Sequence, residues 1–207
     1  MPTWQFWLSW IVQALAAIGT IAAVIVALFA SRIQRVLFPP KLELVLKSNS
    51  VKTGYVLGDR TVGARWFHAQ VRNPRRWLGV TKVKIVFLKL EEANPSGQFR
   101  PIWQGETIVR WEHPEASPTL ADIGHPACCD LCCLVEHDGL QIFPRDGLGR
   151  VEPLWREATK IILTLQARGI EADSNLLRVM IGWDGKWSDD EDDMARHLSV
   201  LDVSASA

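Results

Sequence analysis

The hydrophobic pattern changes character once along the chain. From Trp4 to Ala30 it reads WQFWLSWIVQALAAIGTIAAVIVALFA, and the first charged side chain is Arg32. An apolar run of about 20 residues or more matches the ~30 Å hydrocarbon core of a bilayer. A single segment spans lipid only as a helix, in which every backbone N–H and C=O is paired internally. Core helices of soluble proteins rarely stay apolar on all sides for this length. The pattern predicts one N-terminal transmembrane helix running on to Leu37. Pro39 and Pro40 then end it, because proline lacks the N–H and disfavours a helical residue before it.

From Lys41 onward the period falls to two. Residues 41–47 alternate as a first strand. Residues 49–59 are polar and glycine-punctuated, which predicts a loop with at most a short strand at Tyr55, Val56 and Leu57. In 65–73, Phe67, Ala69 and Val71 face one way and Trp66, His68, Gln70 and Arg72 the other. Residues 73–76 form a turn. The run 80–90 is a long β-branched strand. Its Lys82 and Lys84 mark a wet face that Val86, Leu88 and Leu90 then continue. Either a bulge switches faces there, or the second half is buried on both sides. Residues 91–97 read as a loop, with short strands at 102–103 and 107–111 around Gly105. A loop follows at 112–119, then strands at 127–136 and 140–143, loop at 144–149 and a helical turn at 153–158. In 160–168, Ile161, Leu163, Leu165 and Ala167 point inward. A strand at 176–183 ends at the tight-turn pair Asp184 and Gly185, and 195–203 closes the domain.

Many short strands, frequent turns and no βαβ rhythm predict a mainly β fold: an antiparallel β-sandwich behind one transmembrane helix. The boundaries read as 1–38 for the helix and its juxtamembrane extension, 39–203 for the sandwich and 204–207 for a disordered tail.

One local pattern resembles a known family. His68 to Asn73, a short turn, then Val80 to Phe87 is similar to the "V-x-N, turn, V-x-V" strand pair of bacterial immunoglobulin-like sandwich modules. The pair 161–168 and 176–181 resembles the last two strands of such modules. The resemblance implies an immunoglobulin-like sandwich acting as a binding or spacer unit, although a fold alone does not decide function.

Charge sets the expected orientation. No Lys or Arg precedes the helix, whereas Arg32, Arg35 and Lys41 follow it. The positive-inside rule then predicts a single-pass inner-membrane protein with its N-terminus outside and its C-terminal domain cytoplasmic. Trp4, Trp7 and Trp10 fit an interfacial aromatic belt at the outer surface, with Arg32 and Arg35 at the inner one. Four cysteines suit a reducing cytosol. A cleaved signal peptide is disfavoured: no basic n-region precedes the run, the run is too long, and Leu28, Phe29 and Ala30 make a poor cleavage site. Gly19, Ala23 and Ala27 recur every four residues and line one helix face, with Ala16 and Thr20 beside it and Gln13 a turn away. Small residues let two helices approach closely in lipid, so this face predicts homo-oligomer packing.

Candidate chemistry is sparse. Cys128, Cys129, Cys132 and Cys133 include a C-x-x-C spacing, making Cys129 and Cys132 the weak metal candidates. Strand alternation puts those two on opposite faces, with Cys129, Leu131 and Cys133 inward. No second ligand pair exists, so small buried cysteines are expected rather than a metal site. The acidic run Asp189, Asp190, Glu191, Asp192 and Asp193 lacks the spaced ligands and glycine of an EF-hand, and reads as a solvated hairpin loop. Arg72, Arg75, Arg76, Trp77, Lys82 and Lys84 form a basic patch with an aromatic inside it. With 23 basic against 23 acidic residues, such a patch suits an anionic leaflet better than nucleic acid. The five His show no catalytic grouping, and there is no nucleophile elbow, P-loop or dinucleotide turn. No catalytic residue and no cofactor is expected. The reading is a membrane-tethered binding or scaffold module whose partners are the bilayer, other copies of the helix and a protein of unknown identity. The alternative is a ligand-sensing effector whose β-domain binds a small molecule and rearranges an oligomer of helices.

Overall fold

The computed structural model describes residues 3–47, 51–109, 111, 121–123, 125–142 and 154–204. The chain divides into two compact units, Met1–Pro39 and Pro40–Ala207. The first is one helix, α1 (Thr3–Leu37), 35 residues and so about 52 Å long at 1.5 Å per residue. Its segment Trp7–Ala30 is long and apolar enough to cross a membrane, and none of it is buried. The Phe38 N–H still donates to the Gln34 carbonyl at 2.8 Å, and the prolines then stop the ladder.

The second unit is built from strands β1 (Glu43–Leu46), β2 (Val51–Leu57), β3 (Arg60–Arg72), β4 (Val80–Ala93), β5 (Phe99–Val109), β6 (Ala121–Ile123), β7 (Ala127–Val135), β8 (Gly139–Ile142), β9 (Leu154–Trp155), β10 (Thr159–Arg168), β11 (Asp173–Trp183) and β12 (Leu198–Asp202), with a short helix α2 (Glu191–His197) before β12. They make two antiparallel sheets. One runs β1-β3-β7-β8-β9 with β2 also on β3; the other runs β12-β11-β10-β4-β5 with β6 also on β4. Leu44, Ala69, Val71, Cys129, Leu131 and Leu134 of the first sheet meet Ile85, Phe87, Leu90, Leu163, Leu165 and Val179 of the second in one dry core. Phe87 and Trp103 pack with ring centroids 5.3 Å apart.

Two bulges keep this core continuous. On β7, Cys132 faces Phe67 while Asp130 faces His68, so Leu131 is an extra residue and the side-chain parity flips after it. On β4, Phe87 faces Leu165 while Lys89 faces Thr164, so Leu88 is the extra residue. The bulge option for the long strand therefore holds: Ile85 and Phe87 point inward, and past the bulge Leu90 does. Glu91 is turned to the outer face. It is only 7% exposed, and its carboxylate pairs with Lys89 at 2.8 Å and Arg178 at 3.4 Å.

The β7 bulge corrects the cysteine assignment. Cys129 and Cys132 both enter the main core, not opposite faces. Cys133 goes to the other face with Ala64 and Val135, under Tyr55, Val62 and Trp66. Other boundaries also differ from expectation. Most of the expected 49–59 loop is β2, which pairs along β3 from Val51 to Leu57. The expected 91–97 loop starts as strand through Ala93, and the two short strands around Gly105 are the single strand β5. Leu154 and Trp155, expected in a helical turn, pair with Gln141 and Leu140. Ser204 is held rather than frayed, its Oγ accepting the Arg178 N–H at 2.9 Å. The expected loops at 112–119 and 144–149, Phe143 and the tail 205–207 lie outside the described residues.

One side chain ties the sheets together at the β1 edge. β1 uses alternate backbone groups to pair with β3, which leaves Leu44 facing away. Asn175 of β11 completes it: the Leu44 N–H donates to Oδ1 at 3.1 Å, and Nδ2 donates to the Leu44 carbonyl at 3.1 Å. Asn175→Ala should cost about 1–2 kcal/mol in urea unfolding; an unchanged midpoint would show that water replaces the amide without loss.

Candidate binding surfaces

Among the described residues, Arg65 is the most buried arginine or lysine of the sandwich, at 4% exposure. Alternation along β3 puts it on the inward side with Phe67, opposite Leu134. Its Nη2 lies 3.3, 3.1 and 3.2 Å from the backbone carbonyls of Ser188, Asp189 and Asp190. Its guanidinium also lies over the Trp187 ring, 5.9 Å from the centroid. Gly63 makes room for this packing, since a Cβ there would sit 2.6 Å from Trp187 Cζ2. The buried cation thus closes one end of the core by gripping the segment that leads into α2.

The acidic run is not a loop but the start of that helix. Asp190 is the N-cap, its carboxylate accepting the Asp193 N–H at 2.8 Å. Glu191, Asp192 and Asp193 fill the first turn, and Arg196 and His197 the last, each matching the helix dipole. Asp189 pairs with Lys52 at 2.9 Å, and Asp193 pairs with Arg196. The Lys52 hydrogen bond and charge hold the Asp189 carboxyl below the usual range, and the Arg196 and Ser188 hydrogen bonds do the same for Asp193. Asp190 thus serves as a cap, and Asp189 and Asp193 as ion-pair partners.

The cysteines sit in apolar surroundings. Burial, with Cys133 and Asp130 nearby, pushes the Cys132 thiol well above its usual pKa, the opposite of what a metal ligand or redox thiolate needs. Among the described residues, no group of three or more His, Cys, Asp or Glu is placed to hold a metal ion.

The basic patch is divided. Arg72 and Arg76 line one open groove of about 400 Å³ with Glu43, Gln70, Asn73, Pro74 and Pro126. Arg72 Nε donates to Gln70 Oε1 at 2.6 Å. Trp77 projects from the adjoining turn, 66% exposed. Lys82 takes a left-handed backbone, φ 50°, where its N–H donates to Asp122 Oδ1 at 3.0 Å. Lys84 stands apart on β4 beside Arg168. Asn73, read from sequence only as a turn residue, organises the turn. Its buried Nδ2 donates to the Leu78 and Ile123 carbonyls at 2.6 and 3.2 Å, and its Oδ1 accepts the Arg75 N–H at 3.0 Å.

A second open groove, of about 460 Å³, is lined by Glu92 and residues Leu154 to Ala158. Its carboxylate is engaged: Glu92 Oε1 accepts from Trp155 Nε1 at 2.7 Å and Thr159 Oγ1 at 3.4 Å.

On α1, Trp4, Trp7 and Trp10 are 59, 67 and 59% exposed. Gly19, Ala23, Ala27 and Arg32 are exposed too. The Thr20 hydroxyl is satisfied within the helix, donating to the Ala16 carbonyl at 2.9 Å. Arg35 lies on the helix, its side chain outside the described residues. No protein-family model matches the chain, and no curated protein matches it.

Arg65→Leu removes the charged donor from three carbonyls, of which Asp189 keeps Lys52 Nζ at 3.2 Å and Asp190 keeps the Met194 N–H at 3.0 Å. It should lower stability by about 3 kcal/mol, whereas Lys52→Ala, which breaks an exposed pair, should leave the unfolding midpoint near that of the native chain. Equal midpoints for both variants would remove Arg65 from this role.

Proposed function

We propose that the chain is a membrane-anchored binding module without catalytic activity. In this reading α1 crosses the inner membrane with its N-terminus outside, and the sandwich presents its surface to a protein partner in the cytoplasm. The observation that carries it is the bare helix: a long apolar cylinder with none of its membrane-length segment covered, followed by a sandwich in which the carboxylates of Glu91, Glu92, Asp189 and Asp193 are engaged. The engaged Glu92 carboxylate and the openness of both grooves favour this over a small-molecule sensor.

The strand order supports an immunoglobulin-like reading of the sandwich. Strands A, B and E of that fold share one sheet and C, F and G the other. Here β1-β3-β7 and β11-β10-β4-β5 follow the same order. The departure is β8, which follows β7 in the chain yet occupies the position of strand D.

The test is capture of the full chain from detergent-solubilised membranes after an alkaline wash. Retention in the washed pellet and one protein recurring across independent captures are expected. Release by the wash, or repeated captures with no protein at stoichiometric level, would sink the reading.

Self-association through the small-residue face belongs to the same proposal. With Thr20 bonded to Ala16, this face offers close packing rather than a hydroxyl bridge. Gly19→Ile and Ala23→Ile should shift cross-linked dimers towards monomer, while Val24→Ile should not. Equal cross-linking in all three variants would leave α1 a passive tether.

A further inference from the structure

The two ends of the sandwich differ in chemistry. One end holds the start of β1, the β3–β4 turn and the β10–β11 turn. Register places them together: Glu43 faces Arg72, Arg168 faces Lys84, and the Ile170 N–H donates to the Thr81 carbonyl at 3.1 Å. This end exposes two large apolar side chains, Trp77 at 66% and Ile170 at 67%. Arg72, Arg76, Lys41 and Lys82 are exposed around them.

Neither apolar side chain sits on a loose loop. Asn73 pins the Trp77 turn from inside. The Ile170 turn is closed by the Gly169 N–H donating to the Ala172 carbonyl at 2.9 Å, and Glu171 accepts from Thr81 N and Oγ1 at 2.7 and 2.9 Å. The carboxylates of this end are partly engaged: Glu43 pairs with Lys41 at 2.7 Å, Glu106 with Arg168 at 2.7 Å, and Asp122 accepts from Lys82 N, while Asp173 is exposed opposite Arg168. The opposite end carries Asp59, Glu136, Asp138, Asp184 and the run Asp189 to Asp193, only partly offset by Lys52, Arg60, Arg156, Lys186 and Arg196.

The basic end includes the start of β1, the first strand after α1 in the chain. Only Phe38 to Leu42 lie between α1 and β1, a reach of at most about 20 Å. β3 is 13 residues long, so the acidic end lies about 40 Å away along the strands.

We propose that the basic end docks on the headgroup layer of an anionic bilayer, with Trp77 and Ile170 seated at the interface and Arg72 and Arg76 against lipid phosphates. The proposal rests on α1 being a membrane anchor. A Trp ring suits that depth, apolar in body and polar at its N–H, and arginine binds phosphate with a planar fork of donors. The acidic end would be repelled from the same surface, which sets the sandwich end-on.

The experiment uses the full chain in nanodiscs of phosphatidylcholine with about a third phosphatidylglycerol. Photoreactive benzoylphenylalanine replaces Trp77 in one variant and Val56, 72% exposed at the far end, in another. Lipid adducts at position 77 should exceed those at 56 several-fold. They should fall roughly fivefold with Arg72→Glu or Arg76→Glu, and likewise in discs of phosphatidylcholine alone. Adducts at 77 no higher than at 56, or unchanged by charge reversal and by neutral lipid in variants that keep the native melting temperature, would overturn the docking. A chain that does not co-elute with the discs would instead overturn the anchor beneath it.

Discussion

Two sheets packed face to face leave room between them for only one side of every strand, and most features of the sandwich follow from meeting that constraint over long strands. β3 and β4 run for 13 and 14 residues, well past the usual five or six. The chain resets parity by inserting Leu131 and Leu88. Each insertion turns the next residues over, so that Leu134 and Leu90 reach the core. Without the Leu88 insertion, Leu90 would face outward and Glu91 would be driven into the core. With it, Glu91 lies between Lys89 and Arg178.

The same constraint explains why a cation can be buried. Part-way along β3 the inward position falls to Arg65, which meets the segment leading into α2. Three carbonyls at Nη2 and the Trp187 face replace part of the water that the guanidinium loses, while its Nε is buried without a hydrogen-bond partner. A buried charge is tolerated only when so many partners converge on it. The partners are backbone, so side-chain changes in 188–190 would leave the grip in place.

How far the fold was legible depended on whether a strand has one wet face. Residues 65–73 and 160–168 alternate because one side is dry, and both were placed within a few residues. β2 escaped because Lys52, Thr53 and Gly54 break the period on an exposed edge strand. The cysteine faces were misread because 131–135 is apolar at every position, and no polar residue marks where parity flips. The acidic run was misread for another reason: Asp190 with acidic residues in the next turn is a helix start, but hairpin context took precedence. Arg65 left no local signal, since its partners lie 123 to 125 positions away. Of the basic patch, the sequence placed Arg72, Arg76 and Trp77 together correctly. It could not show that Lys84 stands apart.

Composition conceals one further property. Twenty-three charges of each sign cancel in the total, yet along the strands they do not cancel locally. Carboxylates collect where α2 needs an N-terminus, and the exposed Arg72 and Arg76 collect where β3 turns into β4. Helix capping fixes the first location, because Asp190 to Asp193 stabilise α2 only at that end. The second is set by Asn73, which holds the turn rigidly enough for Arg76 and Trp77 to project from it. Beyond Pro39 the chain carries 21 basic and 23 acidic residues, and a domain of such small net charge with separated ends experiences no net attraction to an anionic plane but a strong orienting torque. In the proposed docking, the five residues Phe38 to Leu42 would supply the proximity that the net charge does not, and the separation of charge would have only to choose which end faces the plane.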